Sequence, residues 1–440
     1  MRESLATAAL YEREIHALAE RRASRHWHAE PHLSAPLVAL HAPEVARRLA
    51  AEVSTGQYAL QVLLPHAAQL NGKPRTIYHI DPLDAVVLGV LTRVVMAAIE
   101  PRLGDHLHSY RKGRSQWTAC QAFVCYLHAH VRSTRDPKAR GVFVLRRDVR
   151  RYDENIPTGD DSPLWSTLLR LIGSDELGLQ GDVPTFLRRA FRPSVLHADQ
   201  SCAPLARGVP TGLPTQTIAC NTYLLPLDAE LLAIPGAFYA RFGDDILFAH
   251  PDPKHAEHAA QCLDESIRKL DLTFNPTKSR ALWLTRPGCA HSSAVGFAPV
   301  AHLPYLGFDV GFDGARLRSD KRRALWLSLR ARVLHTDRLL QDAPLQERAA
   351  ALCAVVRTAL DAHSLLSDRY APWLRFAVMS LEDLRQLDHH IALLVAERLS
   401  HNRGVRAFRD FPPRMLYADY QLPSLQQAFV QARRRREAAL

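Results

Sequence analysis

The sequence predicts an α+β fold in which strands and helices are interleaved and a helical C-terminal region follows. Two observations predict the strands. A Val-rich apolar run at 141–149 lacks helical spacing, and residues 237–249 alternate on either side of a Gly-Asp-Asp turn. A third observation predicts the helical end, because the pattern from about residue 318 onward is nearly all helical.

Composition predicts a folded protein and favours an anionic partner. The chain has 440 residues, 47% hydrophobic and 23% charged, and no linker or repeat divides it, so we expect subdomains packed together. Lys and Arg number 56 against 45 Asp and Glu, a net charge of +11. This excess favours nucleic acid, since each neutralised phosphate releases bound counterions, although the charge of a basic protein can also serve nothing specific.

Cysteines and apolar runs predict a cytoplasmic protein that uses no membrane. The seven cysteines are odd in number and form no CxxC pair, which is typical of reduced thiols. The charged residues Arg2 and Glu3 argue against a secretion signal. The longest apolar run, 85–99, is interrupted by Arg93 and is too short for a membrane span, so it predicts a buried helix.

In the first part of the chain, spacing and turn residues predict each element. Residues 1–55 carry apolar positions three and four apart, which indicates helices. The segment KPRTIYHIDPLDAVV predicts a short extended stretch, a Pro turn, and a helix that starts at Asp81 and Pro82. GVFVLRRDV (141–149) predicts a buried strand that ends near Asp148.

The second part contains the clearest hairpin. Residues 214–232 predict a helix, and in 237–249 the segments AFYARF and ILFA flank the turn GDD. A helix over roughly 254–270 and a strand RALWL at 280–284 follow, and helices fill the rest of the chain.

Three carboxylates form the candidate chemistry. Asp244 and Asp245 lie together on the turn, which is electrostatically costly unless a cation neutralises them, although Gly-Asp-Asp is also ordinary turn chemistry. If the strand that ends at Asp148 neighbours this hairpin, Asp148 and Asp244 converge. Hard oxygen ligands of this kind suit Mg²⁺ ions completed by substrate phosphates, as nucleotidyl transfer requires.

Seven sequence blocks follow one another over roughly 70–310. In order they are KPRTIYHIDPLDAVV, SYRKGRS, RRDVRRYDENIP, RGVPTGLPTQTIACNTYLLPLD, YARFGDD, LTFNPTKSR and YLGF. This series resembles the blocks of the prokaryotic reverse transcriptases of group II introns, retrons, diversity-generating elements and phage-defence systems. The resemblance implies a right-hand polymerase with fingers, an antiparallel palm and an α-helical thumb.

The resemblance also implies a division into subdomains. The expected parts are a helical N-terminal extension at 1–55, fingers at 56–140, a palm at 141–312 with a fingers segment near 160–205, and a helical thumb and C-terminal region at 313–440. Basic helical stretches near 321–340 and 402–414 would hold the product duplex.

By position in the blocks, the acids and one lysine receive catalytic roles. Asp148 and Asp244 would bind two Mg²⁺ ions, for which Mn²⁺ would substitute, with Asp245 as a supporting acid. Lys278 would be the general acid for departing pyrophosphate, although it could also be a merely solvated lysine.

Other blocks imply contacts with the nucleotide and the primer. Expected at the triphosphate are Lys73, Arg75 and Arg114. Pro210 and Gly212, with Gly208 and Pro214, would shape the loop under the nucleotide, and Asn221 would lie near the substrate or only within the core. The predicted primer grip consists of Tyr305, Leu306, Gly307 and Phe308.

The sequence departs from the family at the sugar of the nucleotide. Asp153 stands five residues after Asp148, where the family has a bulky aromatic that excludes the ribose 2′-hydroxyl, unless Tyr152 takes that role. Thr211 replaces a common Gln. We expect an altered choice of nucleotide in an active polymerase.

The resemblance implies RNA-templated DNA synthesis, and the expected partners are an RNA template, a DNA primer or product, and nucleoside triphosphates. We expect a dedicated noncoding RNA in a bacterial phage-defence or domesticated system. A group II intron maturase, a diversity-generating reverse transcriptase, a template-independent or protein-primed polymerase, and a non-catalytic RNA-binding cofactor are the alternatives.

Overall fold

The structure, a computed structural model, describes residues 2–23, 35–70, 73–134, 141–173, 183–285, 296–362 and 381–437. The chain divides into two compact units. The first comprises Met1–Lys112, Leu145–Phe248 and Lys254–Arg280, and the second comprises Gly113–Val144, Ala249–Pro253 and Ala281–Leu440. The predicted subdomain boundaries stay predictions.

The helices, in chain order, are α1 (Arg2–Leu5), α2 (Ala8–Ala23), α3 (Ala35–Leu40), α4 (Ala42–Ser54), α5 (Pro82–Ile99), α6 (Gln116–Ser133), α7 (Tyr152–Asn155), α8 (Pro163–Ile172), α9 (Val183–Phe191), α10 (Gln216–Thr222), α11 (Leu225–Leu232), α12 (Pro253–Lys269), α13 (Ser319–Leu339), α14 (Leu345–Ala362), α15 (Leu381–Ser400), α16 (Pro413–Ala418) and α17 (Leu425–Glu437). Short 3₁₀ helices cover Glu100–Arg102 and Gly404–Arg409.

The strands are β1 (Leu64–Leu70), β2 (Lys73–His79), β3 (Val142–Asp148), β4 (Ser194–Leu196), β5 (Cys202–Pro204), β6 (Phe238–Phe242), β7 (Asp245–His250), β8 (Arg280–Leu284), β9 (Ala298–Val300), β10 (His302–Tyr305), β11 (Phe308–Gly311) and β12 (Gly314–Leu317). Interleaved strands and helices followed by helices from α13 onward agree with the predicted α+β class.

Helix α5 begins where the sequence predicts. Asp81 is its N-cap, and the Asp81 carboxylate accepts a hydrogen bond from the backbone N–H of Leu83 at 2.8 Å. Pro82 occupies the first turn, where a missing N–H costs nothing. The core faces of α5 are buried, as predicted for 85–99.

The helix predicted over 214–232 is in fact two helices. α10 ends at Thr222 and α11 begins at Leu225, with Pro226 in its first turn. Pro226 cannot donate a backbone hydrogen bond to the preceding turn, so the helix restarts there. The prediction of one continuous helix was therefore wrong at this point.

One sheet brings the candidate acids together. Its strand order is β6-β7-β3-β8-β9, so β3 lies beside β7. In the first unit the backbone N–H of Val149, just after β3, donates to the carbonyl of Asp244 at 3.1 Å. The end of β3 and the start of β7 are thus adjacent. This meets the condition under which the sequence predicts that Asp148 and Asp244 converge.

In the first unit, β1 and β2 form a second antiparallel pair with the register Leu64↔His79 to Leu70↔Lys73. The sequence analysis predicted β2 and missed β1. The backbone N–H of Tyr78 in β2 donates to the carbonyl of Thr211 at 3.1 Å, so this hairpin lies against the predicted nucleotide loop.

The second unit contains the predicted hairpin at YLGF. β10 and β11 pair from His302↔Gly311 to Tyr305↔Phe308. Leu306 and Gly307 form the connecting turn with φ values of 47° and 92°, which suits a two-residue hairpin turn. Phe308 packs on Trp117 of α6, with ring centroids 4.1 Å apart.

One described helix, Pro82–Arg102, is long and apolar enough to cross a membrane by length and composition. Because 56% of that stretch is buried within the protein, it also fits the core helix that the sequence predicts.

Candidate active site

The three predicted acids lie at one corner of the sheet in the first unit. Asp148 is the last residue of β3, Asp244 lies in the turn, and Asp245 is the first residue of β7. The carbonyl of Asp148 also accepts from the backbone N–H of Asn275 at 2.7 Å, and that of Asp244 accepts from Val149. Backbone hydrogen bonds on both sides therefore hold the end of β3 and the turn before β7 in place.

Two of the three carboxylates are paired with basic side chains. Lys278 Nζ lies 2.5 Å from Asp148 Oδ2. Arg146 donates from Nε to Asp245 Oδ1 at 3.1 Å and from Nη2 to Asp245 Oδ2 at 2.5 Å. The fork of Arg146 engages both oxygens of Asp245, which leaves Asp148 and Asp244 as the pair better placed to bind a cation. The assigned roles of all four remain predictions.

Asp244 carries the electrostatic signature of the site. Burial, followed by repulsion from Asp148 and Asp245, raises the pKa of the Asp244 carboxyl to about 6. Burial also raises the pKa of Asp245, against the opposing effect of Arg146. A cation near Asp244 would relieve this repulsion.

The donor set fits Mg²⁺ that is completed by substrate. Within the residues that the structure describes, no three His, Cys, Asp or Glu side chains form a metal-ion cluster. Asp148 and Asp244 can supply two carboxylates, and Mg²⁺ is commonly held in that way, with water and phosphate oxygens in its remaining positions. The sites for two ions remain a prediction.

A buried arginine, to which the sequence pattern assigns no role, lies behind the turn. Arg241 of β6 is fully buried and binds both carboxylate oxygens of Asp228 in α11, with Nε to Oδ1 at 2.8 Å and Nη2 to Oδ2 at 2.6 Å. Its Nη1 donates to the carbonyl of Gly243 in the turn at 3.2 Å. The only available signal was an Arg inside an otherwise apolar strand.

Other buried groups complete this network. The hydroxyl of Tyr239 donates to Asp228 Oδ1 at 2.6 Å, and His106 Nε2 lies 3.1 Å from Asp228 Oδ2. Burial alone would raise the pKa of the Asp228 carboxyl, but Arg241 and His106 outweigh it and hold that pKa below its ordinary value. Asp228 is thus an ionised, fully hydrogen-bonded support for Arg241.

Two predicted nucleotide contacts lie in the core instead. Asn221 is fully buried; its Nδ2 donates to the carbonyl of Ser109 at 2.9 Å, and its Oδ1 accepts from the Ser109 hydroxyl at 2.7 Å. This favours the core role that the sequence left open. Tyr152 is also buried and donates from its hydroxyl to the carbonyl of Cys220 at 2.8 Å, so its hydroxyl is bonded within the core.

The predicted nucleotide loop is held between α7 and β2. Gly208 has φ of +91°, and a side chain there would meet the Glu154 carbonyl at 2.6 Å, so the position requires glycine. Val209 N–H donates to the carbonyl of Asp153 at 2.8 Å. Pro210 is buried and Gly212, with φ of +108°, is exposed beside β2.

The two departures from the family pattern are bonded to each other. Thr211 Oγ1 donates to Asp153 Oδ2 at 3.0 Å. Gln216 Nε2 donates to the same oxygen at 3.1 Å, while its Oε1 accepts from the backbone N–H of Gly212 at 3.1 Å. The sequence did not predict a role for Gln216. It follows Thr211 by five residues, and no local pattern shows that its side-chain amide contacts this loop.

Two of the three basic residues predicted at the triphosphate lie in β2, and the third belongs to the second unit. Arg75 Nη1 lies 2.8 Å from Glu154 Oε1 and 3.6 Å from Asp153 Oδ1, so it would have to loosen these ion pairs to reach phosphate. Lys73 opens β2, but its side chain lies outside the described residues. Arg114 and the predicted primer grip, 305–308, belong to the second unit, and their roles stay predictions.

A known protein family matches part of this chain. The sequence profile described as "Reverse transcriptase (RNA-dependent DNA polymerase)" matches residues 182–310. This segment contains Asp244, Asp245, Lys278 and the YLGF hairpin, whereas Asp148 precedes it. No curated protein sequence matches the chain.

Solved structures of yeast telomerases are similar at low identity. The apo telomerase of Candida tropicalis truncated from its C-terminal domain has 11% identity and a TM-score of 0.43 over 57% of this chain and 53% of its own. The Candida albicans telomerase with a TWJ fragment of telomeric RNA has 12% identity and a TM-score of 0.42 over 84% and 62%. The Candida tropicalis telomerase with such a fragment has 10% identity and a TM-score of 0.45. The match covers 90% of this chain and 72% of that telomerase.

This chain therefore spans about half the length of the first of these telomerases. With TM-scores below 0.5, the assignment rests on the family match and on the fold described above. The mixed fold, its sheet and the family match agree with the predicted right-hand polymerase and with the predicted enzyme class. The chain contains a reverse transcriptase domain, the domain of RNA-dependent DNA polymerases.

Proposed function

We propose that this chain is a reverse transcriptase that extends a DNA primer on an RNA template with two Mg²⁺ ions. The observation that carries the proposal is the meeting of Asp148 with Asp244 at adjoining strand ends, where burial, followed by repulsion from Asp148, raises the pKa of Asp244 to about 6. Asp244 lies within the segment that matches the reverse transcriptase family. Such a pair is poised for divalent cations.

In the proposed reaction, the primer 3′-oxygen forms a bond to the α-phosphorus of the nucleotide while the bond from that phosphorus to pyrophosphate breaks. When bound, Mg²⁺ would favour loss of the 3′-hydroxyl proton and neutralise charge on the phosphates. Asp148 and Asp244 would hold the ions, and Arg146 would keep Asp245 oriented as a supporting acid.

Lys278 would give a proton to the departing pyrophosphate. Its ammonium now lies on Asp148, and its side chain is 42% exposed, so it has room to move toward an incoming phosphate once a cation takes its place at Asp148. The ion pair with Asp148 supports the proposed general acid over a merely solvated lysine.

The proposed biological setting is a bacterial phage-defence or domesticated element, in the cytoplasm, with a dedicated noncoding RNA. The seven sequence blocks and their resemblance to prokaryotic reverse transcriptases support it. Sequencing the nucleic acid that copurifies with the protein tests it: one recurrent structured RNA is expected, whereas intron RNA or random RNA would contradict it.

Primer extension tests the chemistry directly. The full chain, an RNA template, a DNA primer, Mg²⁺ and four dNTPs should give extended DNA. Asp244→Asn should lower the single-turnover rate by a factor of about 10³ or more, because electrostatic stabilisation of the transition state usually contributes more to catalysis than any other effect. Asp161→Asn, at an exposed acid in a turn, is the matched control. Activity that survives Asp244→Asn would contradict the proposal.

A further inference from the structure

We propose that Asp153, held by Thr211 and Gln216, is a binding site for the ribose 2′-hydroxyl, so that this chain takes ribonucleoside triphosphates as well as deoxyribonucleoside triphosphates. The inference rests on the proposed polymerase function and names the substrate class of its nucleotide site. It assigns a role to the two positions at which the sequence departs from the family pattern.

The three side chains form a single hydrogen-bonded cluster. Asp153 Oδ2 accepts from Thr211 Oγ1 at 3.0 Å and from Gln216 Nε2 at 3.1 Å. A carboxylate oxygen offers about two lone-pair sites, so both sites of Oδ2 are used. The two donors come from the nucleotide loop and from α10, and together they fix the direction of the carboxylate.

The other oxygen of Asp153 keeps its capacity to accept. The nearest described cation is Arg75, whose Nη1 lies 3.6 Å from Oδ1, beyond hydrogen-bond distance. The Asp153 side chain is 19% exposed, so a ligand can reach it. A carboxylate is also the group that hydrogen-bonds the ribose 2′-hydroxyl in dinucleotide-binding sites.

The cluster lies within electrostatic range of the catalytic acids. Asp153 follows Asp148 by five residues, and its carbonyl accepts from Val209 N–H at 2.8 Å, which fixes α7 beside the nucleotide loop. After burial, both Asp244 and Asp153 raise the pKa of the Cys220 thiol. Burial, then Cys220, and then the same two carboxylates raise the pKa of Tyr110 to about 12.

No aromatic side chain occupies the sugar position that the family pattern assigns. That position is Asp153 itself, and the neighbouring Tyr152 is buried with its hydroxyl on Cys220. The aromatic that competes for the role is Tyr110, which is 53% exposed and has φ of 54°. An aromatic ring at this position would exclude the ribose 2′-hydroxyl. The Asp153 carboxylate would instead accept a hydrogen bond from that hydroxyl.

Single-turnover incorporation of one nucleotide tests this inference. The full chain, an RNA template with one unpaired U and a DNA primer would be given ATP, dATP or 2′-fluoro-2′-deoxy-ATP. ATP should be used within about tenfold of dATP. The fluoro analogue should do no better than dATP, because fluorine fills the space of the hydroxyl but cannot donate to Asp153.

Variants distinguish the loss of a hydrogen bond at residue 153 from steric exclusion of the 2′-hydroxyl. Asp153→Phe should lower the efficiency with ATP relative to dATP by about a hundredfold or more, and Asp153→Ala by about tenfold. Thr211→Val should lower the same ratio, because it removes the donor that orients Asp153, and Thr211→Ser should restore it. A preference of the wild type for dATP above about a hundredfold would overturn the inference. If Tyr110→Ala then relaxed that preference, Tyr110 would be the group that excludes ribose.

Equilibrium binding makes the result independent of the chemistry. Binding of ATP and of dATP would be compared on the complex with a dideoxy-terminated primer, for the wild type and for Asp153→Ala. If neither nucleotide were incorporated, the proposed function would fail, while this ratio would still decide the inference. The site is supported if the wild type binds ATP at least as tightly as dATP and Asp153→Ala binds ATP more weakly than dATP. The inference is overturned if Asp153→Ala leaves the ratio of the two affinities unchanged.

Discussion

At the scale of single residues, the three acids differ in how the protein balances their charge. Asp148 faces the ammonium of Lys278, and Asp245 faces the guanidinium of Arg146. Asp244 makes no ion pair within the described residues, and its pKa is raised to about 6 by burial and by its acidic neighbours. The three carboxylates are therefore not equivalent, although the sequence shows them only as three aspartates.

The raised pKa of Asp244 predicts how stability depends on pH. Between the ordinary value near 4 and about 6, the folded protein holds a proton on Asp244 that the unfolded chain has lost, so the free energy of unfolding falls as pH rises through this window. In EDTA, Asp244→Asn should be more stable than the wild type above pH 6, and the difference should vanish below about pH 4.

Thermal unfolding at pH values from 4 to 8, in EDTA and in Mg²⁺, measures this effect. Mg²⁺ should reduce the difference between wild type and Asp244→Asn, because a bound cation favours the ionised carboxylate. Asp161→Asn is the control. A difference that stays constant across the whole pH range would show that the Asp244 pKa is not raised.

At the scale of elements, the Gly-Asp-Asp turn depends on an ion pair behind it. Arg241 connects β6 to α11 through Asp228 and to α10 through the Asn221 carbonyl at 2.8 Å, and it also bonds to Gly243 of the turn. A buried cation with five satisfied donors is tolerated only because each N–H has an acceptor. The position of the turn therefore depends on helices that lie earlier in the chain.

Breaking this pair should be costly. Asp228→Ala should lower the free energy of unfolding by about 3–5 kcal/mol, because it leaves the Arg241 charge buried without its partner. Arg48→Ala, which removes the exposed pair with Glu52, should change it by no more than about 1 kcal/mol. Urea denaturation of the wild type and both variants gives the comparison, and equal effects of the two substitutions would contradict the buried-pair account.

At the scale of the whole molecule, the net charge of +11 predicts binding to nucleic acid that weakens with salt. Within the second unit, a cavity of about 520 Å³ is lined by Arg322, Arg323 and Trp326 of α13 and by His390 of α15. Arginine side chains beside an aromatic residue are typical of surfaces that bind nucleic acid.

Measuring the dissociation constant for RNA as salt is varied tests this surface. The plot of log association constant against log salt should have a negative slope, and Arg323→Ala should make that slope shallower by about one phosphate contact. Arg48→Ala, on the exposed face of α4, is a charge-matched control. A slope that Arg323→Ala leaves unchanged would mean that this arginine contacts no phosphate.

Local patterns predicted the strand and the hairpin that present the acids, because both depend on near neighbours in sequence. The alternation around GDD and the Val-rich run before Asp148 were sufficient for β3, β6 and β7. Strands without such patterns were missed, including β1 and β9. The break between α10 and α11 was missed too, although Pro226, in the middle of the predicted helix, was a local signal for it.

The sequence by itself determined the class of chemistry, since the acids, the turn and the ordered blocks are local features. Only the tertiary structure decided which side chains balance and orient those acids. Arg146 meets Asp245 across 99 residues and Gln216 meets Asp153 across 63, and no periodicity records such pairings. Chain folding sets them, because a long side chain reaches whatever acceptor the packing of distant elements brings near.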